Sequence, residues 1–551
     1  MPITIDLTKY SKFIALSAFL ITITIWTGIS DPVNNPKFLL LGIFTIPIGS
    51  IGVWIILKEK NKANLKFLFA IFLFVIASLY VSILSSAPFS QNFYGVYGRN
   101  TGFLTYFGLA LLAIGSSVIR DKSQIEKIFF GLFAAGGLNL AYCLYVILFG
   151  DFIPWNNPYK TILGTFGNPN FISSFLGIFA SIILAYLIQV RTPKKAIGVS
   201  FIYVLAIYEI YKSRSIQGIV VVCLGAIIVG FYWLKTSNIS RLVFRIYVFV
   251  SLAISIIGIL GTQKIGPLAG YLFKPSVLFR EQYWYAGLQM GRSNIFSGIG
   301  MDSYGDWYRR SRGEEALIHP GINVTSNAAH SVPIDIFAYG GLPLVVLYLL
   351  IIFFACIKIY RLTSCMTTYK PVPVALVVGF LCYQVQSLIS INQIGLAIWG
   401  WLFTGLLAGY PISGVSEGAK KKSEPIFYSS TLIVGMTVGF ILFYPPISAD
   451  IKWTAALREN NLQKLEDSVN GDYWTPVNSA RLAQATLILQ NSNFELKSIE
   501  MAKRGVKFNP ENSDAWKLIL TSKLSSKIEK NEALKNLRRI DPYNPDWKLN
   551  E

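Results

Sequence analysis

The chain has 551 residues, 53% of them hydrophobic and 14% charged, with a mean hydropathy of +0.50 and a formal net charge of +20. That hydrophobicity excludes an ordinary soluble globular protein and points to a polytopic membrane protein. The positive charge does not point to nucleic acid, because it follows the pattern that sets membrane topology.

Thirteen apolar segments are long enough, or nearly so, to cross a hydrocarbon core: 13–30, 37–57, 67–85, 103–119, 128–149, 171–190, 196–212, 216–234, 244–261, 333–357, 373–390, 393–411 and 426–445. The least regular are 196–212, which contains Glu209, and 373–390, which contains Gln384 and Gln386. Lys9 and Lys12 precede the first run and no small-residue cleavage site follows, so an uncleaved signal anchor is expected. With the N-terminus cytoplasmic, every inside loop carries at least three basic residues: Lys58, Lys60, Lys62 and Lys66; Arg120, Lys122 and Lys127; Arg191, Lys194 and Lys195; Lys235, Arg241 and Arg245; Lys358, Arg361 and Lys370; Lys420, Lys421 and Lys422. A miscounted span would invert this positive-inside pattern downstream. The same phase puts 31–36, 86–102, 150–170, 213–215, 262–332, 391–392 and everything after Pro446 outside.

The five cysteines then fall in spans or on the cytoplasmic side, without a CxxC pair, so neither a disulfide framework nor a zinc site is suggested.

The outside segments carry the chemistry. Tyr94-Gly-Val-Tyr-Gly98-Arg99-Asn-Thr-Gly102 puts Arg99 at the outer face, for lipid headgroups or for an anionic group of a substrate. Gly164-Thr-Phe-Gly167-Asn168-Pro-Asn170-Phe171 opens the sixth span, and the amides of Asn168 and Asn170 suit either a helix cap or sugar and phosphate oxygens. Ser213-Arg214-Ser215-Ile-Gln217 joins two spans so tightly that Arg214 stays near the outer membrane plane, where an arginine is a functional candidate.

The segment 262–332 is unusually long for a loop between membrane helices. It holds both histidines of the chain, His319 and His330, and the arginines Arg280, Arg292, Arg309, Arg310 and Arg312. His330 lies just before the next span, while His319 precedes Pro320 in a looser stretch. Its aromatic residues Tyr283, Trp284, Tyr285, Tyr304, Trp307 and Tyr308 could stack on sugars or sit at the lipid interface. Asp302 and Asp306 make a poor metal pair, and the outer loops have no HExxH or Asp-x-Asp; no metal and no cofactor are expected.

Hydrophobicity collapses after Pro446. Pro476-Val-Asn478, Pro510-Glu-Asn512 and Pro542-Tyr-Asn544 recur with asparagines 34 and 32 residues apart, a helix-turn-helix period similar to tetratricopeptide repeats. The expected fold is all-α: about thirteen transmembrane helices, a large extracytoplasmic loop (262–332) within a membrane domain 1–445, and a soluble helical-repeat domain 446–551. That last domain either caps the final span or docks a protein or polymer partner.

In their order, the Gly98-Arg99-x-x-Gly102, Gly167-Asn168-Pro-Asn170, Ser213-Arg214, Arg280-x-x-x-Trp284, Gly298-x-Gly300 and Ala329-His330-Ser331 motifs, followed by Gly340-Gly-Leu-Pro, resemble the O-antigen ligase and polymerase superfamily, which includes the bacterial O-oligosaccharyltransferases. The resemblance covers about 85–445. It implies a GT-C-like multispan fold in the bacterial cytoplasmic membrane and transfer of a glycan from undecaprenyl diphosphate to an acceptor outside. It implies Arg214, Arg280 and His330 as the catalytic residues. Arg99, Asn168, Asn170, Gln217 and Trp284 are expected to bind substrate. Ser215 and Ser331 stand where glycine and asparagine are common in the family, which leaves the subfamily open.

The chemistry agrees independently. Arginine meets phosphate oxygens with two parallel charge-assisted hydrogen bonds, and a neutral histidine can take a hydroxyl proton. The acceptor — lipid, polysaccharide or protein — stays open, as does ligase against polymerase against protein transferase. A lipid-linked glycan flippase and a non-catalytic assembly protein are the rivals from other classes. A flippase would be expected to show charged or broken helices at the bilayer midplane.

Overall fold

Long apolar runs fold as helices because a backbone in lipid must satisfy its own hydrogen bonds. The computed structural model of the protein describes residues 6–58, 64–412, 425–459, 461–469, 485, 487–488 and 495–547, and among these no strand occurs. In chain order the helices are α1 (Leu7–Ile23), α2 (Asn34–Lys58), α3 (Leu65–Leu84), α4 (Phe89–Tyr94), α5 (Phe103–Ser116), α6 (Lys122–Phe149), α7 (Pro169–Leu187), α8 (Pro193–Lys212), α9 (Ile216–Thr236) and α10 (Arg241–Thr262). There follow α11 (Ala269–Leu272), α12 (Pro275–Ser293), α13 (Tyr304–Ser311), α14 (Val332–Cys365), α15 (Pro371–Leu388), α16 (Ile394–Gly409), α17 (Pro425–Phe443), α18 (Pro445–Arg458) and α19 (Leu462–Val469). The last described are α20 (Glu495–Phe508), α21 (Ser513–Thr521) and α22 (Lys527–Ile540).

The protein is a multi-pass membrane protein. Eight helices among the described residues are long and apolar enough to cross a bilayer: α2, α3, α6, α7, α9, α10, α14 and α15. The pair α17 and α18, bent by 47°, makes a ninth if counted as one span. Helices also overlie the other expected segments. However, α5 and α16 have only 14 and 16 residues, α1 has 17, and α8 carries Lys194, Lys195, Glu209 and Lys212. Length and composition therefore support fewer spans than the thirteen read from hydrophobicity alone. Helix α16 is buried along nearly its whole length, and α7 packs against both α9 and α15. The approach of α9 to α7 needs a glycine: a Cβ on Gly218 would stand 2.6 Å from the Ser173 carbonyl.

Two features were not expected from hydrophobicity. The first helix stops at Ile23, although its apolar run was expected to continue to residue 30. The buried Lys37 of α2 ends it, with Nζ donating to the carbonyls of Ile21 (3.1 Å), Thr22 and Thr24 (3.0 Å). Three donors meet three carbonyls at a helix C-terminus, where a cation also suits the dipole.

The second is a break inside α14. Gly341 has φ 64° and ψ −159°, and Pro343 follows. Proline has no N–H for the Tyr339 carbonyl, and the Leu342 N–H turns away to the Ile295 carbonyl (2.7 Å). The two carbonyls left over, Ala338 and Tyr339, accept from Ile299 N and Gly300 N, each at 3.0 Å. The Gly298-x-Gly300 segment is thus stitched to the break. A Cβ on Gly298 (φ 61°) would meet the Tyr339 carbonyl oxygen at 2.1 Å, so only glycine fits.

The segment 262–332, expected as a loop, is substantially helical through α11, α12 and α13. From α18 onward, two small apolar clusters form apart from the main core, one around Trp453 and Leu465, the other around Trp516, Leu537 and Trp547. Asn512 of the second repeat mark caps α21, accepting from Ala515 N at 3.1 Å. The first mark, Pro476-Val-Asn478, lies outside the described residues.

A candidate functional site at one end of the helix bundle

The loop before α5 carries Arg99. It is clasped from two sides. The buried Asp302 carboxylate accepts from Val96 N (2.7 Å), Thr101 N (3.1 Å) and Thr101 Oγ1 (2.8 Å). Burial raises the Asp302 pKa, opposed by these donors and by the nearby Arg99 guanidinium. From the other side Asn34 Nδ2 donates to the Gly98 carbonyl at 2.8 Å. The Arg99 guanidinium has no hydrogen-bond or ion-pair partner among the described residues.

His330 sits in a tight turn with φ 57°, in the left-handed region. The turn is held by Ala329 N, which donates to Asp335 Oδ1 at 2.6 Å, Asp335 being in the first turn of α14. The imidazole stacks on Tyr283 of α12, centroids 5.5 Å apart at 25°. Burial, then Arg99, then Arg280 push the His330 pKa down to about 3. His330 is therefore neutral at physiological pH, and the two arginines are close enough to be felt by it.

Helix α12 brings Arg280, Tyr283 and Trp284 to this place. The Arg280 guanidinium is half-buried, which lowers its pKa, and it too has no hydrogen-bond or ion-pair partner among the described residues. Lys274 Nζ, just before α12, donates to the Arg214 carbonyl, so the α8–α9 turn lies beside the start of that helix. Arg214 is exposed with φ 57°. By contrast Arg309, Arg310 and Arg312 are all engaged in ion pairs with Asp541 and Glu511. His319 is exposed.

Asn168, Asn170 and Gln217 form a second patch. Asn168 caps α7, accepting from Asn170 N at 2.9 Å. Asn170 Oδ1 accepts from Ser215 Oγ at 2.8 Å, and the buried Gln217 donates to the Ile389 carbonyl at 3.2 Å. These amides tie α7, α9 and the α15–α16 turn together. A small cavity of about 40 Å³ is lined by Arg99, Asn34 and Asp335 together with Phe171, Ile391 and Asn392. It has room for water but not for a sugar ring.

So Arg99 and Arg280 are both near enough to act on the charge of His330, and Trp284 is on the same helix as Arg280. Arg214 neighbours the base of that helix, and the three amides brace the adjoining helix ends. Sequence reasoning missed the groups that hold this arrangement. Asp302 was read beside Asp306 as a poor metal pair, whereas it anchors the Arg99 loop and Asp306 accepts from Gln91 (2.6 Å) and Asn509 (2.9 Å). Asp335 lay within an apolar span, and a carboxylate there was itself the available signal. Tyr304 and Tyr308 are fully buried and stack on each other, which withdraws them from any sugar.

Residues 201–349, from within α8 to within α14, match the family model described as O-antigen ligase. This middle stretch of the chain is similar to the O-antigen ligase family. That similarity supports a ligase-like, glycosyltransferase-type role in the membrane. The matched segment includes Arg214, Gln217, Arg280, Trp284 and His330, while Arg99, Asn168 and Asn170 lie before it. No curated protein matches the chain.

Proposed function

We propose that the protein transfers a glycan from undecaprenyl diphosphate to an acceptor hydroxyl on the outer side of the bacterial cytoplasmic membrane, where the C-terminal helices also lie. The observation that carries this reading is that two arginines without an ion-pair partner among the described residues, Arg99 and Arg280, lie near a neutral histidine in a helix bundle similar to O-antigen ligases.

Arg99 and Arg280 bind the diphosphate, with Arg214 at the base of α12 as a third contact. His330 accepts the acceptor's proton as its oxygen bonds to the sugar's anomeric carbon. The bond from that carbon to phosphate oxygen breaks, and its electron pair leaves with undecaprenyl diphosphate. Negative charge develops there, and preorganised donors at such a point supply roughly 3 kcal/mol each. An isolated histidine with a pKa near 3 is a weak base. A bound diphosphate cancels the positive field of the two arginines and raises its basicity. Trp284, Asn168, Asn170 and Gln217 line or brace the sugar-binding side. The arginines do the charge work of a metal, so chelation leaves turnover intact; turnover lost to a chelator and restored by a divalent ion would overturn that part.

The test uses purified protein in lipid, a labelled undecaprenyl-diphosphate glycan and a cell-envelope acceptor extract. Wild type is compared with His330→Ala, Arg280→Ala and Arg214→Ala after each is shown to fold. Label should leave the lipid in wild type and remain on it in the variants, and the product's mass identifies a lipid, polysaccharide or protein acceptor. Unchanged turnover in all three variants would overturn the residue roles. Movement of the lipid between leaflets without transfer would favour a flippase.

A further inference from the structure

The three arginines of α13 and its end are spent on the C-terminal helices. Arg312 makes two hydrogen bonds to Asp541 (2.8 and 2.9 Å), both side chains buried, and Arg310 pairs with Glu511. Both acidic residues lie at the turns that carry the Pro-x-Asn repeat marks. The same contact continues inward. Asn509, buried just before the second mark, donates to Asp306 Oδ2 at 2.9 Å, and that same oxygen accepts from the buried Gln91 Nε2 at 2.6 Å. Gln91 belongs to α4, which runs directly into the Arg99 loop. On its other side that loop is pinned by Asp302, four residues before Asp306.

We propose that Asn509 and Asp306 are positioning residues for Arg99, and that the C-terminal helices thereby help to build the donor site. The proposal rests on the reading of Arg99 as a donor contact. One carboxylate oxygen shared by two amides has its position set by both. Withdrawing Asn509 frees Asp306 to shift or hydrate, Gln91 loses a fixed acceptor, and the loop it leads into samples more conformations. The C-terminal helices thus act on the donor side of the reaction, whatever acceptor they also bind.

The experiment uses the full chain in lipid, as wild type, Asn509→Ala and Asp541→Asn, with Arg99→Ala as reference. Hydrogen exchange is followed at 94–102 and at 495–547, and transfer is measured against donor concentration. In Asn509→Ala the amides of 94–102 exchange roughly fivefold faster and the donor KM rises by a similar factor, while kcat at saturating donor holds. Asp541→Asn gives the same pattern together with faster exchange at 495–547. Unchanged exchange at 94–102 in Asn509→Ala, with exchange at 495–547 raised in Asp541→Asn, overturns the proposal. A rise in acceptor KM alone, without faster exchange at 94–102, also overturns it. If exchange at 94–102 responds as expected but Arg99→Ala leaves the donor KM at its wild-type value, the positioning link stands and the donor role of Arg99 is what fails.

Discussion

The histidine and arginines at the bundle end are defined by what they lack. Two guanidiniums lie near one imidazole, and neither is neutralised by an ion pair among the described residues. Burial is the main cause that pushes His330 down to about 3, and the two arginines add to it. Replacing Arg99 or Arg280 by alanine removes one positive neighbour, so the His330 pKa should climb toward its ordinary 6.5. The chain has only two histidines, and the exposed His319 gives an internal reference for labelled-histidine NMR titration. A His330 pKa near 6.5 in wild type, or one indifferent to both substitutions, would sink this electrostatic picture. Because the folded pKa lies below the unfolded one, this group's effect on stability is also signed. Stability falls as pH drops through the window from about 6.5 to about 3, where only the unfolded chain takes the proton. Arg280 offers a second test. Arg280→Ala should cost about 10²-fold in transfer if its guanidinium meets developing charge. Arg280→Lys should recover only part of that, because an ammonium keeps the charge but not the paired hydrogen bonds. Full recovery with lysine would mean that charge alone matters there.

At the scale of elements, the break in α14 is what joins the middle of the chain to the site. Gly298→Ala adds a methyl where the Tyr339 carbonyl already stands, at a left-handed backbone position. The left-handed conformation costs about 1–2 kcal/mol and the overlap about 1–3 kcal/mol more. Thermal unfolding should report a combined loss of about 2–5 kcal/mol, and a neutral substitution would mean the stitch is not needed. The motif Gly340-Gly-Leu-Pro made a kink legible in the sequence. Its use did not show, because the freed carbonyls are taken by residues about 40 positions earlier, a pairing without local signature. The same reason explains the early end of α1, which is set by a lysine on the next helix. Apolar run length told where the membrane helices run, since it is a property of each segment alone. Of the site, the charged residues in outside segments were legible because they violate the membrane's composition rules. Asp302 and Asn34, which aim Arg99, were not, because their role exists only once distant loops are folded together.

For the whole molecule, the decisive contact is the docking of the C-terminal helices on α13. The sequence suggested two roles for those helices, a cap on the last span or a platform for a partner, and offered no sign that the loop arginines would find partners some 230 residues away. Arg312 and Asp541 are buried together, with side-chain exposures of 0% and 2%. A buried pair of this kind need not stabilise much relative to apolar side chains, since both ions lose their water. Breaking one partner is different, because the other stays buried without its counter-charge. Asp541→Leu should therefore loosen the C-terminal helices by about 3–5 kcal/mol, read as protease sensitivity of 495–547 in the otherwise intact protein. Adding Arg312→Met to that variant should restore much of the resistance, since no buried cation is then stranded. Arg309, which reaches Asp541 at 3.3 Å, is partly exposed and can turn to water. If the double variant is as sensitive as the single one, the stranded charge is not the cause. The role of Asp541 would then lie in its hydrogen bond from Asn544 Nδ2 (3.2 Å) and in ending α22.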